Sequence, residues 1–276
     1  MTRNSVLTFA KKKKEGQKIT VLTAYDYTIA KLFNDSGIDT VLVGDSLGNA
    51  ILGYDDTVSV TMDDMVCHCR AVAHACDKAM VVVDMPFMSY QVSVEEAMRN
   101  AGRLMQEGRA NAVKLEGGRR VCPQIKALSE AGIPVMAHLG LTPQSINALG
   151  GYKVAGRTKE KAAELLAEAY AVQEAGAFAL VLELVPDKLA RLITSKLQIP
   201  TIGIGSGSGC DGQVLVGQDM LGMTQGTAPK FLKVFAPVGE MIKTAAASYI
   251  NEVESGTYPS EEYSFTIDDE VIEKLY

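Results

Sequence analysis

The sequence predicts an α/β fold, a closed (β/α)8 barrel with parallel strands inside and helices outside. After an N-terminal segment, short β-type runs alternate with longer helix-type runs, a rhythm that indicates parallel strands joined by crossover helices. Several strand runs are nearly all apolar, as in a sheet buried on both faces. An open doubly wound sheet repeats the same unit, but about eight strands in one chain of 276 residues favour the barrel.

The strands are predicted from runs rich in β-branched and aliphatic residues. In order, these runs are ITVLTAY from Ile19, TVLVG from Thr40, AMVVVD from Ala79, NAVKLE from Asn111, IPVMAHL from Ile133, FALVLEL from Phe178 and PTIGIG from Pro200. An eighth strand is expected around Gln213 to Val216.

The segments between the strands carry helix signals. Ser93-Val94-Glu95-Glu96 reads as a capping box before AMRNAGRLMQEG, and KEKAAELLAEAYAVQEAG is rich in alanine. A glycine a few residues before the next strand suits a left-handed helix end. Such glycines are Gly37, Gly108, Gly132 and Gly176.

A single domain is predicted over residues 1–276, with an N-terminal helical extension over about 1–17 and an acidic, aromatic segment over about 251–276. That segment is expected either over the barrel or on a neighbouring subunit. The basic run from Lys11 to Lys14 is interpreted as a solvated helix face rather than a membrane anchor.

Charge and hydropathy exclude several function classes. The formal net charge is −6 with both signs interspersed, which argues against a nucleic-acid or anionic-membrane surface and favours a small-molecule partner. No apolar run reaches the roughly 18 residues of a membrane span, and MTRNSVLTF lacks the apolar stretch of a signal peptide. A soluble, cytoplasmic protein is expected.

The cysteines predict free thiols. Their number, five, is odd, and a chain of this size does not need disulfides for stability. The cluster CHCRAVAHAC raises the question of zinc, but Cys67 and Cys69 would point to different faces of a helix that begins near Thr61. Packing thiols are the preferred interpretation.

Acidic residues end four of the predicted strands: Asp45 after VLVG, Asp84 after MVVV, Glu116 after AVKL and Glu183 after LVL. Burying a carboxylate is costly unless something compensates it. In a barrel, the carboxyl ends of the strands form the mouth that houses active sites. Cation binding and proton transfer are therefore the expected roles.

Side-chain alternation places these groups at the ends of inward-facing rows. The rows are predicted to be Val41 with Val43 and Asp45, Val82 with Asp84, and Lys114 with Glu116. Asp45, Asp84 and Glu116 come from consecutive strands about 4.8 Å apart, so three anions would repel one another unless a divalent cation lay between them. An all-oxygen ligand set suits Mg²⁺ better than zinc.

Each of the other candidates has two interpretations. Lys114 either belongs to an internal salt-bridge cluster or stabilises a bound carboxylate or enolate. Glu183, on a later strand, is either a general base whose proton affinity is raised by an apolar surround, or a rim residue paired with Lys153 or Lys188. His138 is either a hydrogen-bonding site residue or a structural histidine.

One further motif, GIGSGSGCDG from Gly203, is a weak dinucleotide signal because no clear helix opens inside it. It is better interpreted as a loop where a ligand or backbone comes close.

Several long motifs run along the chain: TAYDY from Thr23, LVGDSLGNAILGYDDTVSVTMDDM from Leu42, VVVDMPF from Val81, NAVKLEGG from Asn111, HLGLTPQS from His138, GGYKVAGRT from Gly150, LVLELVP from Leu180 and GIGSGSGCDGQVLV from Gly203. Together they resemble one enzyme family, the ketopantoate hydroxymethyltransferases. The resemblance implies a TIM barrel of the phosphoenolpyruvate/pyruvate type. It also implies a homo-oligomer, usually a decamer built from pentameric rings.

The resemblance also implies roles for the site residues. Asp45, Asp84 and Glu116 match the metal ligands, and Glu116 would bind the metal through water. Ser46 and Lys114 match positions that hold the keto acid. Glu183 matches the base. Asp45, Asp84 and His138 are expected to contact the substrate as well. The sequence departs from the family pattern at Met88 and Ala137, where glycines are expected, and at Tyr263, where a histidine is common.

The implied reaction moves a one-carbon unit from 5,10-methylenetetrahydrofolate to α-ketoisovalerate, with Mg²⁺ stabilising the enolate. Nothing in the residues alone identifies the folate. Two alternatives are a Mg²⁺-dependent carbon–carbon lyase on the same barrel and a catalytically silent ligand-binding barrel.

Overall fold

Eight parallel strands form one closed barrel in chain order in the computed structural model, which describes residues 3–224 and 228–276. The first strand pairs with both the second and the eighth, which closes the barrel. The strands are β1 (Ile19–Thr23), β2 (Thr40–Val43), β3 (Met80–Asp84), β4 (Ala112–Glu116), β5 (Val135–Gly140), β6 (Ala179–Glu183), β7 (Thr201–Ile204) and β8 (Gly212–Leu215). The predicted barrel and the positions of its strands are confirmed.

Helices follow most of the strands. The α-helices in the described ranges are α1 (Val6–Glu15), α2 (Tyr27–Asp35), α3 (Leu47–Ala50), α4 (Met62–Ala75), α5 (Val94–Gln106), α6 (Cys122–Glu130), α7 (Ile146–Leu149), α8 (Lys159–Glu174), α9 (Asp187–Lys196), α10 (Gly217–Met220), α11 (Val238–Glu254) and α12 (Asp269–Glu273). Short 3₁₀ turns cover Arg119–Val121, Pro143–Ser145 and Glu261–Tyr263. Residues 205–211 join β7 to β8 without a helix. No helix in the described part of the chain has the length and apolar character to cross a membrane.

Two apolar cores lie on the two sides of the strands. Leu42 and Val82 belong to a core inside the barrel, built almost wholly from strand residues. Val41 and Val43 belong to the larger core between strands and helices. The prediction that Val41 and Val43 share the inward face of Asp45 is therefore wrong. Asp45 lies beyond the end of β2, where the chain turns, so strand alternation no longer fixes its direction.

Helix α1 closes the end of the barrel opposite the acidic residues. Phe9 is only 1% exposed and packs edge-on against Phe178, with ring centroids 5.3 Å apart. Lys12 pairs with Asp39, just before β2, and Lys13 pairs with Asp211, just before β8, at 2.8 Å. The prediction of a wholly solvated basic face is thus wrong for these two lysines, because their ammonium groups lie on carboxylates at the amino ends of strands.

The helix boundaries follow the expected chemistry with two corrections. Ser93 accepts a hydrogen bond from the Glu96 backbone, but the reciprocal bond of a capping box is missing, and Glu96 Oε1 accepts from Asn100. Gly108 is not left-handed, and Arg109 takes that conformation with φ 60°. Gly108 is needed for space, since a Cβ there would lie 2.6 Å from the Leu104 carbonyl oxygen. Left-handed glycines stand at the other three predicted positions, Gly37, Gly132 and Gly176.

The C-terminal segment is not packed on the barrel. Helix α11 has no buried residue, and every residue from Met241 to Tyr276 is exposed. Outward-facing residues of the barrel wall are also exposed where a covering helix is missing, at Thr20 on β1 and Gln213 on β8. In this structure the segment does not lie over its own barrel.

Candidate active site

The predicted site residues lie together at the carboxyl ends of neighbouring strands. Strand register places Asp84 beside Lys114 and Glu116 beside His138, and pairs Gly140 with Glu183. Asp45, Asp84, Lys114, Glu116 and His138 are each at least 95% buried, with exposures of 4%, 3%, 4%, 3% and 2%. Several charged groups therefore share a small volume from which water is largely excluded.

A tight turn after β2 brings Asp45 against Asp84. The Asp45 backbone N–H donates to Asp84 Oδ2 at 3.1 Å, and Lys114 Nζ donates to Asp84 Oδ1 at 2.7 Å. A Cβ at Gly44 would lie 2.7 Å from Ser46 Oγ, so a side chain there would displace the Ser46 hydroxyl. Both oxygens of the Asp84 carboxylate are thus held by donors from neighbouring elements.

The site holds more buried carboxylates than buried cations, Lys114 being the cation, and this imbalance shifts the pKa values of the site. Burial first, and then the charge of Asp84, raise the pKa of Asp45 to about 7. Burial, together with Asp45 and Asp84, also raises the pKa of Glu116 well above its usual value. Burial opposes the charge on Lys114, but Asp84, Glu116 and Asp45 outweigh it and raise the pKa of this amine. A second cation would relieve the remaining repulsion.

The donor set fits Mg²⁺ only with help from substrate and water. Within residues 3–224 and 228–276, no group of three or more His, Cys, Asp or Glu side chains could hold a metal ion by itself. The predicted three-carboxylate set is therefore not preassembled. Mg²⁺ characteristically takes one or two carboxylates and keeps waters or substrate oxygens. The adjacent carboxylates of Asp45 and Asp84, with Glu116 farther along the mouth, match that requirement.

Ser46 is half-buried at the same turn and is oriented by a hydroxyl chain. Its Oγ lies 2.8 Å from Tyr25 Oη, and Tyr25 Oη accepts a hydrogen bond from Thr23 Oγ1 at 2.8 Å. Thr23 Oγ1 in turn accepts from the Gly217 backbone N–H at 3.0 Å. The hydroxyl of Ser46 is therefore fixed beside the buried charges, where it suits a bound carboxylate.

His138 lies between two carboxylates. Its Nδ1 is 3.6 Å from Glu116 Oε1, and its Nε2 is 3.3 Å from Glu183 Oε2. Neither nitrogen makes a well-formed hydrogen bond within the described residues. Burial first, and then the charge of Lys114, lower the pKa of His138, so the ring is neutral and carries one N–H. Within the described residues, His138 therefore lacks the two well-formed hydrogen bonds of an ordinary structural histidine.

Glu183 is the most accessible of the strand-end acids. Its side chain is 15% exposed, compared with 3% for the side chain of Glu116. Lys153 donates to the Leu149 carbonyl oxygen, and within the described ranges neither Lys153 nor Lys188 pairs with Glu183. The alternative of a rim salt bridge is excluded, and Glu183 faces the mouth beside a neutral imidazole.

Two buried residues of the site were not anticipated from the sequence. Gln144, in the turn after β5, and Tyr90, in the loop after β3, are 4% and 1% exposed and hydrogen-bond to each other at 2.7 Å. A glutamine in a predicted loop gives no sequence signal of burial, because polar residues are common in loops exposed to solvent. Only the order of the barrel loops brings these two side chains onto the carboxylates.

The three residues that depart from the family pattern lie in different structural environments. Met88, 50% exposed in the loop after Asp84, has φ 64°, the left-handed conformation for which a glycine is expected. Ala137 is buried in β5, and Tyr263 is 63% exposed in the C-terminal segment. The glycine-rich loop after β7 approaches other parts of the chain, since a Cβ on Gly207 would lie 2.1 Å from Asp187 Oδ1.

A sequence profile of the ketopantoate hydroxymethyltransferases matches residues 3–261. The chain belongs to this family. A 3-methyl-2-oxobutanoate hydroxymethyltransferase of Clostridium novyi (strain NT) is 60% identical over 99% of this chain and 100% of its own length. Enzymes of the same name from Enterococcus faecalis and Clostridium beijerinckii are 56% and 53% identical over the same shares. The prediction of a transferase enzyme of the ketopantoate hydroxymethyltransferase family is confirmed.

More distant structures share the fold of this ketopantoate hydroxymethyltransferase family member. A phosphonopyruvate hydrolase complexed with oxalate and Mg²⁺ superposes with a TM-score of 0.63 at 13% identity, covering 100% of this chain and 95% of the hydrolase. A 2,3-dimethylmalate lyase of the PEP mutase/isocitrate lyase superfamily gives 0.59 at 14% identity, covering 99% and 94%. The predicted TIM barrel is confirmed.

Proposed function

We propose that this enzyme transfers a hydroxymethyl group from 5,10-methylenetetrahydrofolate to 3-methyl-2-oxobutanoate (α-ketoisovalerate), giving ketopantoate in the first step of pantothenate and coenzyme A synthesis. The names of full-length relatives at 53–60% identity support the reaction class. The observation that carries the proposal is the mouth itself, where buried carboxylates, one lysine and a neutral imidazole meet. This set suits proton removal next to a carbonyl.

The keto acid would bind at the turn after β2. Ser46 Oγ and Lys114 Nζ offer a hydroxyl and a positive charge to its carboxylate, and Asp45 and Asp84 lie beside them. Mg²⁺ held by Asp45 and Asp84, with Glu116 through water, would supply Lewis-acid polarisation of the substrate's keto group.

Glu183 would remove the C3 proton of the bound keto acid. A base at the mouth must reach the substrate, and Glu183 is the strand-end acid with the most accessible side chain. His138, 3.3 Å away and neutral, can donate its one N–H to the Glu183 carboxylate or to the substrate oxygen, but not to both. The carbon nucleophile formed by deprotonation would then attack the methylene carbon of the folate. Cleavage of the bond from that carbon to the folate nitrogen, with uptake of one water, would leave the hydroxymethyl group on the product and release tetrahydrofolate.

The test is turnover of purified protein with α-ketoisovalerate, Mg²⁺, tetrahydrofolate and formaldehyde, followed by mass spectrometry of the products. Ketopantoate that forms only when tetrahydrofolate is present supports the proposal. Carbon–carbon cleavage without tetrahydrofolate would instead identify a lyase of the same barrel superfamily. The absence of any conversion would favour a silent ligand-binding barrel.

The proposal includes self-association. Helix α11 carries an apolar stripe at helical spacing, with Ile242, Tyr249, Ile250 and Val253 all 45–59% exposed. A lone helix with such a stripe gains its stability from a partner surface. The uncovered wall at β1 and β8, where a barrel helix ordinarily packs, is the matching surface on a second copy. The decamer of pentameric rings, the cytoplasmic location and the absence of nucleic-acid and membrane partners stay predictions.

A further inference from the structure

Gln144 is a buried residue that hydrogen-bonds to two of the three predicted metal ligands, Asp45 and Glu116. It lies in the 3₁₀ turn after β5 and is 4% exposed. Its backbone N–H donates to Glu116 Oε2 at 3.1 Å, and its side-chain Nε2 donates to Asp45 Oδ2 at 2.8 Å. One residue thus holds two carboxylates that come from different strands.

The orientation of the Gln144 amide is fixed by its partners. Nε2 also donates to the Met85 carbonyl oxygen at 2.8 Å, and that atom can only accept. Oε1 accepts from Tyr90 Oη at 2.7 Å and from Gln91 Nε2 at 3.2 Å. Both hydrogens and both lone pairs of the amide are used, so a flipped amide would lose the bonds to Met85 and Asp45.

Tyr90 connects Gln144 to the end of β4 through hydrogen bonds of its hydroxyl group. The Glu116 backbone N–H donates to Tyr90 Oη at 3.1 Å, and the Tyr90 hydroxyl can donate to Gln144 Oε1 at 2.7 Å or to the Glu116 carbonyl oxygen at 3.2 Å. The loops after β3 and β5 are therefore tied to each other and to the end of β4. Any rotation of the Gln144 side chain would disturb all three.

The bonds from Gln144 use only one oxygen of each carboxylate. Within residues 3–224 and 228–276, Asp45 Oδ1 and Glu116 Oε1 accept no hydrogen bond, while Asp45 Oδ2 and Glu116 Oε2 are held by Gln144. An oxygen held by an N–H donor fixes the direction of the other oxygen. Such outer hydrogen bonds orient metal ligands and are typically worth about 10- to 100-fold in metal affinity or activity.

We propose that Gln144 is a positioning residue that orients the Asp45 and Glu116 carboxylates to receive the divalent cation. The inference rests on the proposed function, because it assigns Gln144 a purpose in that same site. Gln144 itself does not touch the substrate or the reacting atoms. It acts through the two acids that it holds.

The test measures cation binding by metal-free protein, with Mn²⁺ as the probe and the electron paramagnetic resonance signal of free Mn²⁺ as the readout. Gln144→Met keeps the side-chain volume but removes every side-chain hydrogen bond. We expect the variant to bind Mn²⁺ about 10-fold or more weakly than wild type. Part of its turnover should return when the Mg²⁺ concentration is raised. Gln144→Asn, which keeps an amide too short to reach Asp45, is the second variant if Gln144→Met does not fold.

Gln124→Met is the matched control. Gln124 is another buried glutamine, 8% exposed, and it holds the same loop by donating to the Tyr90 carbonyl oxygen at 3.2 Å, but it contacts no carboxylate of the site. Its Mn²⁺ affinity is expected to stay within about threefold of wild type.

Unchanged Mn²⁺ affinity in a folded Gln144 variant overturns the inference, and so does an equal loss in Gln124→Met. These outcomes are distinct from failure of the proposed function. In that case the wild-type protein itself would bind no Mn²⁺ or form no ketopantoate.

Discussion

The buried carboxylate of Asp45 makes the stability of the metal-free protein depend on pH. Its pKa is about 7 in the folded chain and about 3.9 in an unfolded one, so the folded state holds the proton more tightly between these values. Stability is therefore highest at low pH with respect to this group and falls as pH rises from about 4 to 7. Above pH 7 the penalty of burying the ionised carboxylate is complete.

We predict that Asp45→Asn removes this dependence. The metal-free variant should gain about 2 to 4 kcal/mol of unfolding free energy relative to wild type between pH 4 and pH 8, because the amide never ionises. Urea unfolding across that range measures the difference, and saturating Mg²⁺ should reduce the pH dependence of wild type. Parallel curves for the two metal-free proteins would contradict the account.

The residues of the site were predictable to different degrees. Asp45, Asp84 and Glu116 could be found because a charged residue directly after an apolar run breaks a pattern that burial otherwise enforces. Gln144 could not, because its importance depends on contacts between loops that are far apart in sequence. The direction of the Asp45 side chain was not predictable from strand alternation, since β2 ends at Val43 and the chain turns before Asp45.

Helix α1 is the element that closes the base of the barrel. Phe9 fills the inner core between strand ends, and Lys12 and Lys13 tie the helix to Asp39 and Asp211. A helical extension was predictable from the sequence, but its contacts were not. Pairing of consecutive lysines with carboxylates at the starts of β2 and β8, the two strands that flank β1, is visible only once the strand order is known.

We predict that Phe9→Ala lowers the free energy of unfolding by about 3 to 5 kcal/mol, because it empties a packed aromatic site. Leu7→Ala, on the same helix but 76% exposed, should change it by less than about 0.5 kcal/mol. Urea unfolding of the two variants at equal protein concentration makes the comparison. Equally small losses would show that α1 is not part of the cooperative core.

At the scale of the whole molecule, the barrel was predictable and the placement of its last helix was not. The alternation of apolar runs and helix signals predicts repeated strand–helix units, and the number of strands predicts that the sheet closes into a barrel. The same amphipathic pattern in α11 is compatible with packing on its own barrel or on another. Only the uniform exposure of residues from Met241 onward distinguishes the two.

We predict that charges on the apolar stripe of α11 break the oligomer. The double change Ile242→Glu and Ile250→Glu should lower the molar mass measured by size-exclusion chromatography with light scattering. Thr244→Glu with Asn251→Glu adds the same charge to the opposite face of the helix and should leave the mass unchanged. A wild-type monomer, or equal effects of the two pairs, would contradict the proposed association.

The most direct test of the central claim follows the C3 proton of α-ketoisovalerate by proton NMR in deuterated water. With purified wild-type protein and Mg²⁺, the account predicts loss of that signal, prevented by a chelator and abolished by Glu183→Gln. Exposed Glu130→Gln, far from the mouth, should exchange the proton at the wild-type rate. Exchange undiminished in Glu183→Gln, or no exchange by wild type even with tetrahydrofolate present, would contradict the assignment of Glu183 as the base of an enolising site.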